Sequence, residues 1–270
     1  AVIEGTATDT VVFRRLTSKY SSWGDNRWGA NDGIFTASLT AQDSEAEPPS
    51  YPALTQYEHG YVGSQTTTGT PISSASDFSA AFSPSGNATD GSYYLTRDIV
   101  ISGFSGHDFS GTLDGNGHTI FIDGLYQQSY TGQYVGGLFG TLSGTVKNVR
   151  VVLLNSVTVN STYSKDIGVG LIAGRLNGGT VENVNAVISE GATLSTTVQS
   201  KTTALGAVAG VMEGSGTLTN VTVQLDGILD VNGSWSFVAG FVGRSMKPDS
   251  NSAPIYNFSN IIIKGEGRFS

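Results

Sequence analysis

Four aspartates and two histidines occur close together between positions 98 and 123, and they are the residues best suited to catalysis. The set is Asp98, Asp108, Asp114, Asp123, His107 and His118. Two carboxylates about 5–9.5 Å apart can hydrolyse a glycosidic bond, and a fold that stacks successive turns of chain could bring Asp98 near Asp114. However, Asp114 begins Asp114-Gly-Asn-Gly117, and Asp-Gly and Asn-Gly are turn-forming dipeptides. The sequence therefore favours a structural turn and no enzyme, with a polysaccharide-degrading enzyme as the alternative.

The other residues that could bind a metal or a cofactor do not form a recognisable site, so we predict neither a cofactor nor a metal. The chain has no cysteine, which excludes disulfides, thiol nucleophiles and cysteine-ligated metals. Side chains that could hold calcium or stack on a sugar occur in segment 23–32, namely Trp23, Asp25, Asn26, Trp28, Asn31 and Asp32. Their spacing differs from that of an EF-hand loop. We expect the two tryptophans to cover one end of the fold, with binding to surface glycans as the alternative.

The charge balance and the apolar runs restrict the partners. Lysine and arginine together number 14 and the net charge is −8, which disfavours nucleic acid and anionic lipid surfaces. The longest apolar runs, such as 204–212, are about half the ~20 residues of a membrane span. The sequence opens at Ala1 without methionine, and we expect a processed, secreted or cell-surface chain. Five sequons could carry glycans if the source glycosylates, at Asn87, Asn160, Asn220, Asn232 and Asn257.

The elements that position these residues change character near position 70. Residues 1–70 form a predicted amino-terminal cap segment, with short strands at 11–13 and 33–39. A short helix is predicted over 76–82, with Ser76 as its N-cap and Pro84 beyond its end. Residues 71–270 carry short β-branched runs separated by glycine and asparagine.

A repeat organises the second region. Glycine-bounded motifs end at Gly140, Gly174, Gly210 and Gly243, at intervals of 34, 36 and 33 residues. Each motif is followed by an asparagine, and these are Asn148, Asn183, Asn220 and Asn260. A fixed period of this size indicates a solenoid, propeller or array. About three β-type runs per unit, with no helical pattern, predict an all-β, right-handed parallel β-helix whose asparagines occupy corners and pair in a ladder.

These motifs resemble GLUG repeats, on Gly136-Gly-Leu-Phe-Gly140 with Thr145-Val-Lys-Asn148-Val and their later copies. Similar segments occur in microbial surface adhesins and in the amino-terminal β-helix of immunoglobulin-A-cleaving metalloproteases. The resemblance covers roughly residues 72–265 and implies a β-helix in an extracellular setting. It does not imply protease activity, which needs His-Glu-x-x-His, because His59, His107 and His118 all lack that context.

The two ends of the predicted β-helix suggest how it is used. The helix at 76–82, with the aromatic segment 18–35, is expected to cover the amino-terminal end, whereas strand-like runs at both termini lack an obvious partner. We expect strand exchange between copies to make a self-assembling extracellular filament. The predicted assembly residues are Val2, Ile3, Val11, Val12, Phe13, Ile261, Ile262 and Ile263. The alternatives are an adhesin fragment and a carbohydrate-binding β-helix.

Overall fold

A computed structural model describes residues 2–4, 10–14, 34–38, 67–82, 90–123, 126–130, 134–161, 167–197, 202–232, 235–246 and 256–270. The first three stretches are the strands β1 (Val2–Glu4), β2 (Thr10–Arg14) and β3 (Ile34–Ser38). They form an antiparallel sheet in the order β1-β2-β3, separate from every other sheet. The strands predicted at 11–13 and 33–39 are thereby confirmed.

The remaining described residues form one helix and 23 strands. In chain order they are β4 (Thr70–Ile72), α1 (Ala75–Ala81), β5 (Ser92–Leu95), β6 (Ile99–Ile101), β7 (His107–Phe109), β8 (Thr112–Asp114), β9 (Thr119–Ile122), β10 (Tyr126–Tyr130), β11 (Tyr134–Gly136), β12 (Phe139–Leu142), β13 (Thr145–Leu153), β14 (Val157–Ser161), β15 (Ile167–Val169), β16 (Ala173–Asn177), β17 (Thr180–Ile188), β18 (Thr193–Thr197), β19 (Thr202–Gly206), β20 (Ala209–Glu213), β21 (Gly216–Leu225), β22 (Ile228–Asn232), β23 (Trp235–Ala239), β24 (Val242–Met246), β25 (Tyr256–Lys264) and β26 (Arg268–Phe269).

These strands pair in parallel to form four sheets. Sheet I has the order β4-β5-β8-β13-β17-β21-β25; β9 also pairs with β13, and β6 pairs with β9. Sheet II is β10-β14-β18-β22-β26, sheet III is β11-β15-β19-β23, and sheet IV is β7-β12-β16-β20-β24. From β11 onward the chain passes through sheets III, IV, I and II in that order four times. Each of the four sequence repeats is therefore one coil, which confirms the predicted parallel β-solenoid; the right-handed sense stays a prediction.

Each coil contains four strands, whereas the sequence indicated about three. The extra strand comes from the glycine-bounded motif. In the first motif only Gly137 and Leu138 separate β11 in sheet III from β12 in sheet IV. A change of direction within two residues leaves no polar interruption, so the two strands look like one apolar run in the sequence.

The core consists of apolar rows that run from coil to coil. We name three of these rows, each after the last residue in it. The Leu218 row is Leu113, Val146, Val181 and Leu218. The Val223 row is Ile120, Val151, Ala186 and Val223, and the Leu229 row is Val157, Leu194 and Leu229. All of these residues are at most 1% exposed, as expected for identical positions stacked about 4.8 Å apart.

The helix α1 covers the amino-terminal end of the core, as predicted. Phe82, the residue that ends α1, places its ring centroid 4.9 Å from that of Tyr93, 5.3 Å from Phe109 and 5.1 Å from Phe139. Phe78 packs against Phe82 at 4.8 Å. The other predicted cover, segment 18–35, lies outside the described residues except for the start of β3.

The predicted N-cap of this helix was wrong by two residues. Ser74 is the cap: its backbone is extended, and its side chain accepts a hydrogen bond from the Asp77 amide at 3.1 Å. Ser76 already lies inside the first turn. Asp77 in turn accepts hydrogen bonds from the amide and the hydroxyl of Ser73, at 2.9 and 2.7 Å. This reciprocal bonding satisfies amides that a helix start otherwise leaves unpaired.

The capping carboxylate predicts a pH-dependent stability of the amino-terminal cap. The hydrogen bonds from Ser73 lower the pKa of Asp77 below its usual value. Its contribution is therefore fully present above the unfolded pKa of about 3.9 and is lost as the pH falls through the lower folded pKa. Asp77→Asn should reduce Tm at pH 6, and the difference from the wild type should shrink as the pH falls toward 2. Thermal unfolding followed by circular dichroism measures this, and a difference that is constant with pH contradicts it.

Candidate assembly surface

The aspartates singled out for catalysis join successive turns of the chain. Asp98 Oδ1 accepts a hydrogen bond from the Thr119 amide at 2.8 Å, and the Nδ1 of His118 lies 3.4 Å from the same oxygen. Asp108 Oδ1 accepts from the Thr141 amide at 2.8 Å. Asp123 Oδ1 accepts from the side-chain amide of Asn155. These contacts give the carboxylates a role in holding neighbouring strands together.

Asp114 ends β8 and leads into the predicted turn. Its side chain is almost fully buried, and Oδ1 accepts hydrogen bonds from the Asn116 amide and from Nδ2 of Asn148, both at 2.9 Å. The Nζ of Lys147 lies 3.4 Å from Oδ2. Asn116 and Gly117 have φ values of 50° and 81°, in the left-handed region that turns favour. Asp114 thus begins a polar ladder that continues along the solenoid.

The ladder joins the four repeat asparagines at one bend of sheet I. Nδ2 of Asn183 donates to Oδ1 of Asn148 at 2.9 Å, Asn220 donates to Asn183 at 2.8 Å, and Asn260 donates to Asn220 at 2.9 Å. All four have φ between 51° and 55°. Asparagine tolerates this backbone better than most residues. The predicted corner position and amide pairing are both confirmed, and the direction of donation is the same at every step.

The coil formed by β23, β24, β25 and β26 leaves the core rows exposed. Phe258 follows Leu218, Ile263 follows Val223, and Phe269 follows Leu229 in register. The exposed fractions rise from 0% at each of the three preceding residues to 51%, 53% and 52%. We call this surface the open coil. Its residues continue the core in kind and position, but no described residue covers them.

Backbone edges and aromatic rings complete the open coil. Each of β23 to β26 is the last strand of its sheet, so in the described part of the chain its outer edge has no pairing strand. The rings of Phe241 and Tyr256 lie 5.6 and 6.4 Å from that of Phe258. Phe237, which is 43% exposed, lies under the guanidinium of Arg244 at 5.1 Å. Unpaired edges beside apolar side chains are a template for strand addition.

The predicted carboxy-terminal assembly residues belong to this surface. Ile261, Ile262 and Ile263 lie in β25 and pair with Val221, Thr222 and Val223 of β21. The sequence prediction missed Phe237, Phe258 and Phe269. The signal was present for two of them, because Phe258 and Phe269 occupy the repeat positions of Leu218 and Leu229.

The predicted amino-terminal assembly residues already have partners, which corrects the assumption that both termini lack one. Val2 and Ile3 in β1 pair with Arg14 and Phe13 of β2. Val11, Val12 and Phe13 in β2 pair on their other side with Ala37, Thr36 and Phe35 of β3. The central strand β2 therefore has neighbours on both edges. Within this sheet, as far as it is described, β1 and β3 each keep one edge without a pairing strand.

The sequons fall in different settings. Asn160 lies in β14 and Asn232 ends β22, whereas Asn257 is exposed in β25. Asn220 belongs to the ladder and its Nδ2, the atom to which a glycan attaches, donates to Asn183. Asn87 lies outside the described residues.

Metal ligands do not cluster in the described ranges. No group of three or more histidine, aspartate or glutamate side chains within them is arranged to hold a metal ion. The helix that the structure describes is far too short to cross a bilayer.

Comparison with known proteins adds one structural likeness. No protein-family model and no curated protein matches the chain. A crystal structure titled "putative immunoglobulin A1 protease from Bacteroides ovatus" aligns over 84% of this chain and 84% of that chain, at 17% identity and a TM-score of 0.33. A likeness of this strength carries no argument about function. The assignment of this chain as a parallel β-solenoid depends on its own strand pairing.

Proposed function

We propose that this chain is a non-enzymatic structural protein of the cell surface or extracellular space, which self-assembles through its open coil. Its GLUG-type repeats supply a rigid scaffold. The observation that carries the proposal is the exposure of three core rows at one coil, at Phe258, Ile263 and Phe269.

Energetics favour a partner on this surface. Fully burying a large apolar side chain contributes about 1.5–3 kcal/mol, so covering three that are half exposed contributes roughly 3 kcal/mol. Satisfying four strand edges adds backbone hydrogen bonds. At the amino-terminal end of the solenoid α1 and Phe82 cover the core, so the two ends present different surfaces. We propose that the open coil of one copy binds a different surface of the next copy, which is a head-to-tail contact. A head-to-tail contact that does not close on itself produces filaments.

The charged side chains outside the open coil also agree with a structural role. The carboxylates with potential for catalysis are engaged in bonds between successive turns, and Lys147 lies against Asp114. A net charge of −8 with only 14 basic residues suits neither nucleic acid nor anionic lipid. Low lysine content and abundant serine and threonine are in keeping with an exposed extracellular protein.

A charged substitution at the open coil tests the proposal. Ile263→Asp should weaken self-association at least about tenfold, because an unpaired carboxylate buried in a contact costs several kcal/mol and 1.4 kcal/mol is tenfold in affinity. Val100→Asp is the matched control, since Val100 is 54% exposed but lies in β6, away from the open coil. Sedimentation velocity over a concentration series measures both. Equal association of the two variants, or a wild type that stays monomeric throughout, contradicts the proposal.

A further inference from the structure

The outer edge of β25 and the first strand of the chain have matching sequences. Strand β25 ends in Ile262-Ile263-Lys264, followed by Gly265. Strand β1 is Val2-Ile3-Glu4, followed in the sequence by Gly5. Both segments therefore contain two β-branched residues, one charged residue of opposite sign and a glycine. The order is the same in each.

We infer that β1 of a second copy adds in parallel to the outer edge of β25, with Ile3 beside Ile263 and Glu4 beside Lys264. This inference rests on the proposed function and names the segment and the register that the open coil accepts. It places a strand of the amino-terminal sheet where the next strand of sheet I would lie.

Core continuity supports this register. Ile263 is the exposed end of the Val223 row, and Ile3 would become the next member of that row. Gly265 has a φ of 122°, and a Cβ there would lie 2.0 Å from the Leu225 carbonyl oxygen. A glycine is therefore required where the chain leaves β25. In the sequence, Gly5 likewise follows β1 directly.

The opposite charges of Glu4 and Lys264 restrict the register further than core continuity does. With Ile3 beside Ile263, the carboxylate of Glu4 neighbours the ammonium of Lys264, and opposite charges on adjacent strands stabilise pairing. Moving the incoming strand back by one residue places Glu4 beside Ile263, within an apolar row. Moving it back by two places Glu4 beside Ile262. A one-residue slip also exchanges the two faces of the strand, so both slips are disfavoured.

The amino-terminal sheet can supply this strand without unfolding. Strand β1 is hydrogen-bonded to β2 on one side, through Val2↔Arg14, Ile3↔Phe13 and Glu4↔Val12. Its other edge has no pairing strand in the described part of the chain. Addition to β25 would make β1 the link between two sheets. The mechanism is therefore strand addition, in which β1 also keeps its pairing with β2.

Disulfide trapping tests the register. Because the chain has no native cysteine, only the introduced thiols can form a disulfide. Chains carrying only Ile3→Cys are mixed with chains carrying only Ile263→Cys and oxidised. Adjacent strands lie about 4.8 Å apart, within the Cα separation that a disulfide accepts. Ile261→Cys is the matched control, because two residues along the strand increase the separation to roughly 8 Å, beyond that limit. Val100→Cys measures random collision of an exposed thiol.

We expect the Ile3/Ile263 pair to form the mixed dimer at least about ten times faster than either control, after correction for thiol reactivity with a small reagent. Preferred trapping of the Ile3/Ile261 pair overturns the register. Oligomers of the wild type with no trapping above the Val100 control overturn β1 as the docking strand but leave the proposed function intact. A wild type that remains monomeric overturns both.

Charge reversal gives an independent readout. Glu4→Lys and Lys264→Glu should each weaken association by about two- to fivefold, the range expected for an exposed pair. The chain carrying both reversals should return to within about twofold of the wild type. Additive losses in the double variant contradict the pairing of Glu4 with Lys264.

Discussion

Among glycine-to-alanine substitutions in the repeat motifs, Gly210→Ala should cause the largest loss of solenoid stability. A Cβ at Gly210 would lie 2.1 Å from the Val169 amide nitrogen and 2.6 Å from the Gly168 Cα. These are backbone atoms of β15 in sheet III, which cannot move without breaking the pairing of β15 with β19. Overpacking typically costs 1–3 kcal/mol, and we expect about 3 kcal/mol or more here, or roughly 6–12 °C in Tm.

Gly191→Ala is the control for this effect. Gly191 has a φ of 78°, and a Cβ added there would meet no atom within 4 Å. Alanine at this position has only the conformational penalty of the left-handed region, about 1–2 kcal/mol. Thermal and urea unfolding of both variants compare the two penalties. If Gly210→Ala proves no more destabilising than Gly191→Ala, close contact between sheets III and IV is not what requires the motif glycine.

Removing an internal rung of the asparagine ladder should give the second large effect. Asn183 donates to Asn148 and accepts from Asn220, at 2.9 and 2.8 Å. Each net hydrogen bond contributes about 0.5–1.5 kcal/mol, so Asn183→Gly should lower the free energy of unfolding by about 2 kcal/mol. Asn183→Ala should lower it by about 1 kcal/mol more, because alanine is strained at a φ of 52°.

The last rung provides the comparison. Asn260 also has a φ of 51° and donates to Asn220, but it lies at the open coil and is exposed. Asn260→Gly should therefore cost about 1 kcal/mol, less than Asn183→Gly. Urea unfolding measures the series. Equal losses at both positions, or no difference between glycine and alanine at Asn183, would show that the ladder and its backbone strain are not the source of the stability.

The repeat made most of the solenoid predictable. The intervals between the motif glycines and between Asn148, Asn183 and Asn220 identified the coils, because each coil must return to the same lateral position. The turn after Asp114 was also predictable from its dipeptides. The roles of Asp98 and Asp108 were not, since their amide partners lie 21 and 33 residues away.

The amino-terminal pairing was missed although the sequence held a signal for it. Only five residues, including Gly5, separate β1 from β2, a spacing typical of a hairpin. The N-cap was misplaced because Ser73, Ser74 and Ser76 are all acceptable caps by type. The extended backbone of Ser74 and the hydrogen bond that its side chain accepts from the Asp77 amide distinguish it. The phenylalanines of the open coil were overlooked because their significance depends on alignment with Leu218 and Leu229.

Negative-stain electron microscopy of the concentrated wild-type chain tests the central claim most directly. If the open coil binds the amino-terminal strand of another copy, the grids will show rods many times longer than one solenoid, and Ile263→Asp will reduce them to single particles. Single particles of wild-type protein at every concentration, with the circular dichroism of a folded β protein, would contradict the claim.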